Sequence, residues 1–287
     1  MTTYAVTGAT GGLGGAAIAA LIARGVAPSD LVALARDEAK AAPLAESGVT
    51  VRIADYEQPE TLVAALTGVD RVLLVSGSEV GRRTPQHRNL VDAAKTAGVG
   101  FIAYTSLLGA DTSPLLLADE HRDTEAYLAE SGVDHAILRN GWYSENYAAS
   151  AAAAVESGVF YGSAGTATVA PAARADFADA AAAAVIAPEP GRVYELAGSR
   201  HLTYADIAVV FGEIAGTTVR YQDLPVADYK AALLAAGLPE EAAEIVSDSD
   251  AGAAAGALDS SSTELDDLRG GAAQTPFADV IRAASAI

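Results

Sequence analysis

No cysteine occurs in the 287 residues. That excludes disulfides, thiolate-bound metal, iron–sulfur clusters and a cysteine nucleophile. No metal site is expected. Positive charge is scarce as well: 18 lysines and arginines stand against 37 acids, for a formal net charge of −19. Such a surface repels nucleic acid and anionic membrane, so neither is an expected partner, and it favours solubility. Long hydrophobic runs are also missing. Residues 151–155 and 180–187 are short and sit beside Glu156, Asp176 and Asp179, far from the ~18 apolar residues that span a bilayer. A strand-like run, residues 4–7, begins without a basic stretch or a cleavable apolar segment ahead of it. A cytoplasmic protein is the expectation.

Apolar residues are plentiful, at 51%, enough for a sizeable core at this length. In the first half, short β-rich runs alternate with helix-length segments. The runs are 4–7, 31–35, 49–53, 71–75, 100–105 and 135–139, mostly apolar on both faces. That pattern suits a parallel sheet buried by helices. Helices are predicted at 12–24, 37–46, 59–66, 84–97 and 119–130, several ending at glycine. The alternation reads as a doubly wound α/β fold. After residue 140 the rhythm breaks. Helices are predicted from Arg174 to Ala187, with Asp176 in the first turn, and from His201 to Gly216, capped by Thr203. Residues 192–197 and 219–224 read as strands, and 225–250 as one or two helices. Residues 251–262 are low in complexity and read as a mobile loop, and 277–287 as a terminal helix. The expected division is a nucleotide domain over 1–140, with return segments near 168–198, and a smaller α/β substrate region over 141–287.

The strongest local signal is Gly8-Ala9-Thr10-Gly11-Gly12-Leu13-Gly14, which follows the first strand and opens the first helix. Gly8 permits the tight turn, Gly11 lets backbone approach a pyrophosphate, and Gly14 lets helix and strand pack closely. The helix N-terminus offers unpaired N–H groups to phosphate. The end of the second strand selects the dinucleotide. An NAD site places an acid there, but this chain has Ala35 and Arg36. Arginine there matches a 2′-phosphate, so NADPH is the expected cofactor. Asp37 is read as the cap of the following helix. Other strand ends should line the same crevice: Asp55, Ser76-Gly77-Ser78, Thr105, and Asn140-Gly141-Trp142-Tyr143. Asp55 either accepts from the adenine amine or serves its own turn.

These features together resemble the atypical short-chain dehydrogenase/reductase superfamily. Within it they are similar to the NmrA-like branch and its bacterial type-2 NAD(P)H:quinone oxidoreductases. The matching segments run from TGATGGLG (7–14) through SGSEVGRRTPQHR (76–88), YTSLLGADTSPLLLADEH (104–121) and LRNGWYSENY (138–147) to VYELAG (193–198). The resemblance implies a Rossmann-like NADPH domain, a small C-terminal domain and a quinone-sized cleft between them. It also implies cofactor contacts at residues 8–13, at Arg36, at Ser76 to Ser78, and from Asn140 through Ser144 and Glu145.

One superfamily feature is absent. Many members pair a tyrosine with a lysine four residues on, which lowers the tyrosine pKa for acid–base work. The three lysines, Lys40, Lys95 and Lys230, follow Arg36, Val91 and Val226 at that spacing. Where the pair usually stands, this chain has Leu117 and His121. A ketone reduced by hydride gives a very basic alkoxide and needs a proton donor. A quinone gives a delocalised, weakly basic anion that water can protonate. The absence therefore agrees with quinone reduction by direct hydride transfer. It agrees equally with a redox sensor that binds NADP(H) without turnover; a reductase of another carbonyl or enone is the remaining alternative. His121 and Tyr143 are the candidate catalytic residues, and Trp142, Tyr143 and Asn146 the candidate wall for a flat substrate. His87 is read as structural.

Overall fold

Seven parallel strands make up the central sheet of the computed structural model, which describes residues 1–285 and 287. Six come from the first half: β1 (Tyr4–Val6), β2 (Leu31–Ala35), β3 (Thr50–Ile53), β4 (Arg71–Leu74), β5 (Phe101–Leu107) and β6 (Asp134–Asn140). The order is β3-β2-β1-β4-β5-β6, and Val193–Leu196 joins beyond β6. The chain steps outward from β1 to β3, then crosses back to lay β4 against the other side of β1. That reversal opens a crevice at the carboxyl ends of β1 and β4, the usual ligand position in such sheets. Every residue of β2 and β5 is buried, as expected of strands covered on both faces.

Helices α1 (Gly12–Ala23), α2 (Glu38–Glu46), α3 (Pro59–Leu66), α4 (Arg83–Ala97) and α5 (Leu116–Ser131) follow β1 to β5 in turn. One face of the sheet packs with residues of α3, α4 and α5 such as Leu62, Leu90 and Leu128. The other packs with α1 and the helix Arg174–Ile186. Ala180, Ala181 and Ala182 of that helix are fully buried, since alanine lets it sit close to both α1 and the sheet. Helix α5 begins at Leu116, three residues before the expected start. Its first N–H donates to Asp248 Oδ2 at 2.9 Å, so a distant carboxylate supplies the cap.

The rest of the chain forms a second apolar cluster around Tyr147, Phe160, Tyr204, Phe211 and Phe277. Helix Tyr204–Ala215 opens on a reciprocal cap between Thr203 and Asp206. One expectation is corrected here. Residues 251–262 are no mobile loop: helix Glu240–Ala254 runs into them and Leu258 is fully buried. Gly252 packs so tightly that a Cβ would run into Leu115; the small residues mark close approach. Asp176 does more than open a helix. It is buried and accepts from the Thr275 N–H at 2.8 Å and from Arg269 at 2.9 Å, which ties the C-terminal segment to the sheet layer. The terminal helix is Phe277–Ala284; residue 286 of the expected 277–287 lies outside the described residues. No helix among the described residues is long and apolar enough to cross a membrane.

Candidate functional site

A cavity of about 690 Å³ lies at the carboxyl edge of the sheet, over the β1–β4 reversal. That is the size of a cofactor site. Its floor is the glycine loop: Gly8, Thr10, Gly11, Gly12, Leu13 and Gly14 all line it. Gly8 makes the turn with φ +57°, and Gly11 N–H donates to the Gly8 carbonyl at 2.8 Å. Gly11 is the N-cap of α1 and has no side chain to cap it. The N–H groups of Gly12, Leu13 and Gly14 are thus left without helical acceptors. At Gly14 a Cβ would run into the Gly8 carbonyl, so helix and turn touch there. Ala9 is buried behind the loop, its N–H donating to Leu34 O at 3.3 Å.

Arg174 lies over this loop. Its Cδ and Nη1 are 3.4 and 3.6 Å from where a Gly12 Cβ would stand. Its guanidinium stacks 5.2 Å from the Tyr143 ring centre, and Nη2 donates to Asn146 Oδ1 at 3.1 Å. Among the described residues no carboxylate pairs with it. Sequence reasoning missed this residue; nothing local in an arginine opening a late helix places it against residue 12.

One end of the cavity is lined by Arg36, Asp37, Lys40, Tyr56 and Leu62. Asp37 caps α2, accepting from Ala39 and Lys40 N–H at 2.9 and 3.2 Å. Asp55 does not line the cavity, although Ala54 and Tyr56 do. Its carboxylate closes its own turn, accepting from Glu57 N at 3.0 Å and Gln58 Nε2 at 3.3 Å. Lys40 and Tyr56 were not anticipated.

The middle is the strip Ser76-Gly77-Ser78. Thr105 stands behind it, its Oγ1 accepting from Ser76 N–H at 2.9 Å. Gly77 N–H donates to His87 Nε2 at 3.0 Å, and Arg83 Nε donates to Gly77 O at 2.8 Å. His87 Nδ1 lies 3.0 Å from Thr124 Oγ1, which donates to Glu120 O at 2.9 Å. The chain of donors makes Nδ1 the protonated nitrogen of His87. Burial, with Arg83 nearby, pushes its pKa down to about 3. This histidine is a neutral tether for the strip.

The other end gathers Ser106, Leu107, Leu117, His121, Asn140, Gly141, Trp142, Tyr143 and Asn146. Leu117 and His121 sit one turn apart on α5 and reach it together. Ser106 donates to Glu125 at 2.5 Å, and Arg139 clamps that carboxylate at 2.8 Å while also bonding Glu195. The Ser106 proton therefore points away from any ligand. Asn140 Nδ2 donates to Tyr143 Oη at 3.3 Å, while Asn140 Oδ1 is buried without a partner among the described residues. Ser144 and Glu145 are behind the wall. Ser144 N–H donates to Ala172 O at 2.9 Å, and the Glu145 carboxylate caps helix Arg174–Ile186 by accepting its first N–H at 3.0 Å.

His121 Nδ1 lies 2.7 Å from Tyr104 Oη. Burial, then the charge of Arg83, lowers the His121 pKa well below its usual value. The ring is neutral, and the phenol and Nδ1 share one hydrogen bond.

Residues 8–188 match the NAD(P)H-binding family. The chain belongs to the NAD(P)H-binding family. It is 53% identical over 267 residues to Quinone oxidoreductase 2 of Escherichia coli (strain K12), covering 93% of each chain. The crystal structure of an Escherichia coli NADPH-dependent quinone oxidoreductase complexed with NADPH superposes with a TM-score of 0.94, at 51% identity over 98% of this chain and 99% of that one. A Citrobacter triphenylmethane reductase complexed with NADP(H) gives 0.92, at 34% identity over 98% of this chain and 100% of that one. The residues present fit such a cofactor. Open N–H groups and Arg174, which has no carboxylate partner among the described residues, would meet a pyrophosphate, Asn140 Oδ1 would accept a hydrogen bond, and Arg36 and Lys40 would supply cations at the far end.

Proposed function

We propose that this chain is an NADPH-dependent oxidoreductase of the cytoplasm that reduces quinones by two electrons. The observation that carries the reading is the substrate end of the cavity: Leu107, Leu117 and Trp142 offer an apolar wall, and no charged acid stands among them. Bound NADPH supplies a hydride, so that quinone plus one proton leaves as hydroquinone and the nucleotide as NADP⁺. The protein's own part is positioning. The first turn of α1 and Arg174 hold the pyrophosphate, and Arg36 and Lys40 hold the 2′-phosphate. Asn140 accepts from the nicotinamide end, and the neutral His121 ring lies beside it. Tyr143 Oη accepts from Asn140, which leaves the phenolic proton for a substrate oxygen. Burial raises the Tyr143 pKa, so that phenol stays protonated.

The test is NADPH oxidation with a panel of benzoquinones, simple ketones and enones. Turnover of the quinones alone supports the reading. Binding of NADPH with no turnover of any of them would make the chain a sensor.

Two variants sharpen it. His121→Ala should lower quinone kcat by less than about tenfold, because a donor gives its ~10²–10⁴-fold only where the product is strongly basic. A histidine whose folded pKa is depressed, as that of His121 is, is already neutral through the working range. The kcat profile should therefore be flat between about pH 6 and 8. A thousandfold loss with intact NADPH binding would make His121 a true acid. Tyr143→Phe should lower kcat by about three- to tenfold, the worth of one hydrogen bond, with little change in NADPH affinity. Tyr143→Ala should weaken NADPH as well, because the ring carries Arg174. Unaltered kinetics in both variants would move the substrate away from this wall.

A further inference from the structure

Arg36, to which the functional reading gives the 2′-phosphate, is already bound to an anion. Its Nη1 donates to Glu79 Oε1 at 2.7 Å. Glu79 Oε2 accepts from Gln86 Nε2 at 2.9 Å and lies 3.8 Å from Arg82 Nη1. Arg82 in turn pairs with Glu57. One carboxylate thus joins the end of β2 to the loop after β4 and the start of α4, and Arg36, Glu79 and Gln86 all line the cavity. The hydrogen bonds from Arg36 and Gln86 hold the Glu79 carboxyl below its usual range, so it is ionised at working pH. Gln86 is buried, but the pair with Arg36 is not deep: the Glu79 and Arg36 side chains are 32% and 63% exposed. An exposed pair of this kind is weak enough to be exchanged for a ligand.

We propose that Glu79 is an internal competitor of the cofactor's 2′-phosphate, a carboxylate that holds Arg36 in the free protein and sets nucleotide selectivity by having to release it. A phosphate approaching Arg36 meets a like charge and must displace an existing partner. NADH meets neither obstacle, because a ribose 2′-hydroxyl can donate to the carboxylate where it stands. Selectivity then depends on two residues of opposite sense: Arg36 favours NADPH, and Glu79 moderates that preference. Its sequence position hides this role. Glu79 is 43 residues beyond Arg36, on a loop after a different strand.

The proposal rests on the assignment of Arg36 to the 2′-phosphate, and the experiment separates the two. NADPH and NADH are titrated calorimetrically into the unaltered protein, Glu79→Gln and Arg36→Ala. Glu79→Gln keeps the shape and can still bond Gln86. It should bind NADPH about three- to tenfold more tightly, the scale of an exposed charge pair, with NADH unchanged or slightly weaker. The NADH titration also reports that the variant is folded. Weaker NADPH binding by Glu79→Gln would make Glu79 an orienting partner of Arg36 and overturn the proposal. An equal shift for both nucleotides, or none, would overturn it too. If Arg36→Ala loses no preference for NADPH, the Arg36 assignment falls and the proposal with it. If Arg36→Ala loses that preference and Glu79→Gln gains none, the proposal alone falls.

Discussion

Replacing Gly11 by valine should lower NADPH affinity roughly 10²- to 10⁴-fold while barely moving the melting temperature of the free protein. Gly11 has φ −86° and ψ 168°, a conformation open to any residue, so the backbone does not require glycine. A Cβ would stand 3.2 Å from the Gly8 carbonyl oxygen, a tight contact that a shift of a few tenths of an ångström relieves. The folded chain therefore tolerates a side chain. The ligand does not. A branched side chain at the N-cap stands between a pyrophosphate and the open N–H groups of Gly12, Leu13 and Gly14. Two lost charge-assisted hydrogen bonds at about 1.5–3 kcal/mol each account for the factor. Valine is a poorer N-cap than glycine by about 1 kcal/mol, which in a chain of this size is roughly 2 °C. Gly14→Val makes the contrast: its Cβ meets the Gly8 backbone, and the folded protein itself should be lost. Calorimetric titration and a thermal melt check both variants. NADPH affinity in Gly11→Val within about threefold of the unaltered protein's would show that the loop does not hold the pyrophosphate.

The glycine loop and the six strands of the first half are legible in the sequence because their causes are local. A strand buried on both faces is apolar throughout, and a loop pressed on a pyrophosphate needs glycine at fixed spacing. Asp37 as a helix cap and Thr203 as another were readable for the same reason. The missed features depend on residues far apart in the chain. Helix α5 starts where Asp248 caps it, 132 positions away, and no pattern around Leu116 announces that. Arg174 reaches Gly12 only because the helix it opens packs on α1. Residues 251–262 looked loose because they are small, yet small residues also permit close packing, and Gly252 against Leu115 is that case. Strand-end reasoning located the crevice but not every side chain in it. Successive side chains leave a strand in opposite directions. Ser106 therefore faces the cavity while Thr105 bonds the neighbouring strip; Asp55 and Tyr56 lie in the turn past β3, where Tyr56 lines the cavity and Asp55 closes the turn.

Arg36→Ala should cost NADPH about 10- to 150-fold in affinity and leave NADH within about threefold. A charge-assisted pair to a phosphate is worth about 1.5–3 kcal/mol, and NADH has only a hydroxyl at that position. With the side chain 63% exposed, solvent screens part of the attraction and places the expected loss in the lower half of that range. The substitution also leaves the Glu79 carboxylate, now without its guanidinium, beside the incoming phosphate, which adds like-charge repulsion to the lost attraction. Arg174→Ala is the control that gives the result its meaning. Arg174 lies over Gly12, where the loop meets a pyrophosphate that both nucleotides share, so its removal should weaken NADPH and NADH by the same factor. Four titrations, two nucleotides against two variants, decide the matter. Equal losses of both nucleotides in Arg36→Ala would remove the 2′-phosphate from that residue, and a selective loss of NADPH in Arg174→Ala would place it at Arg174 instead.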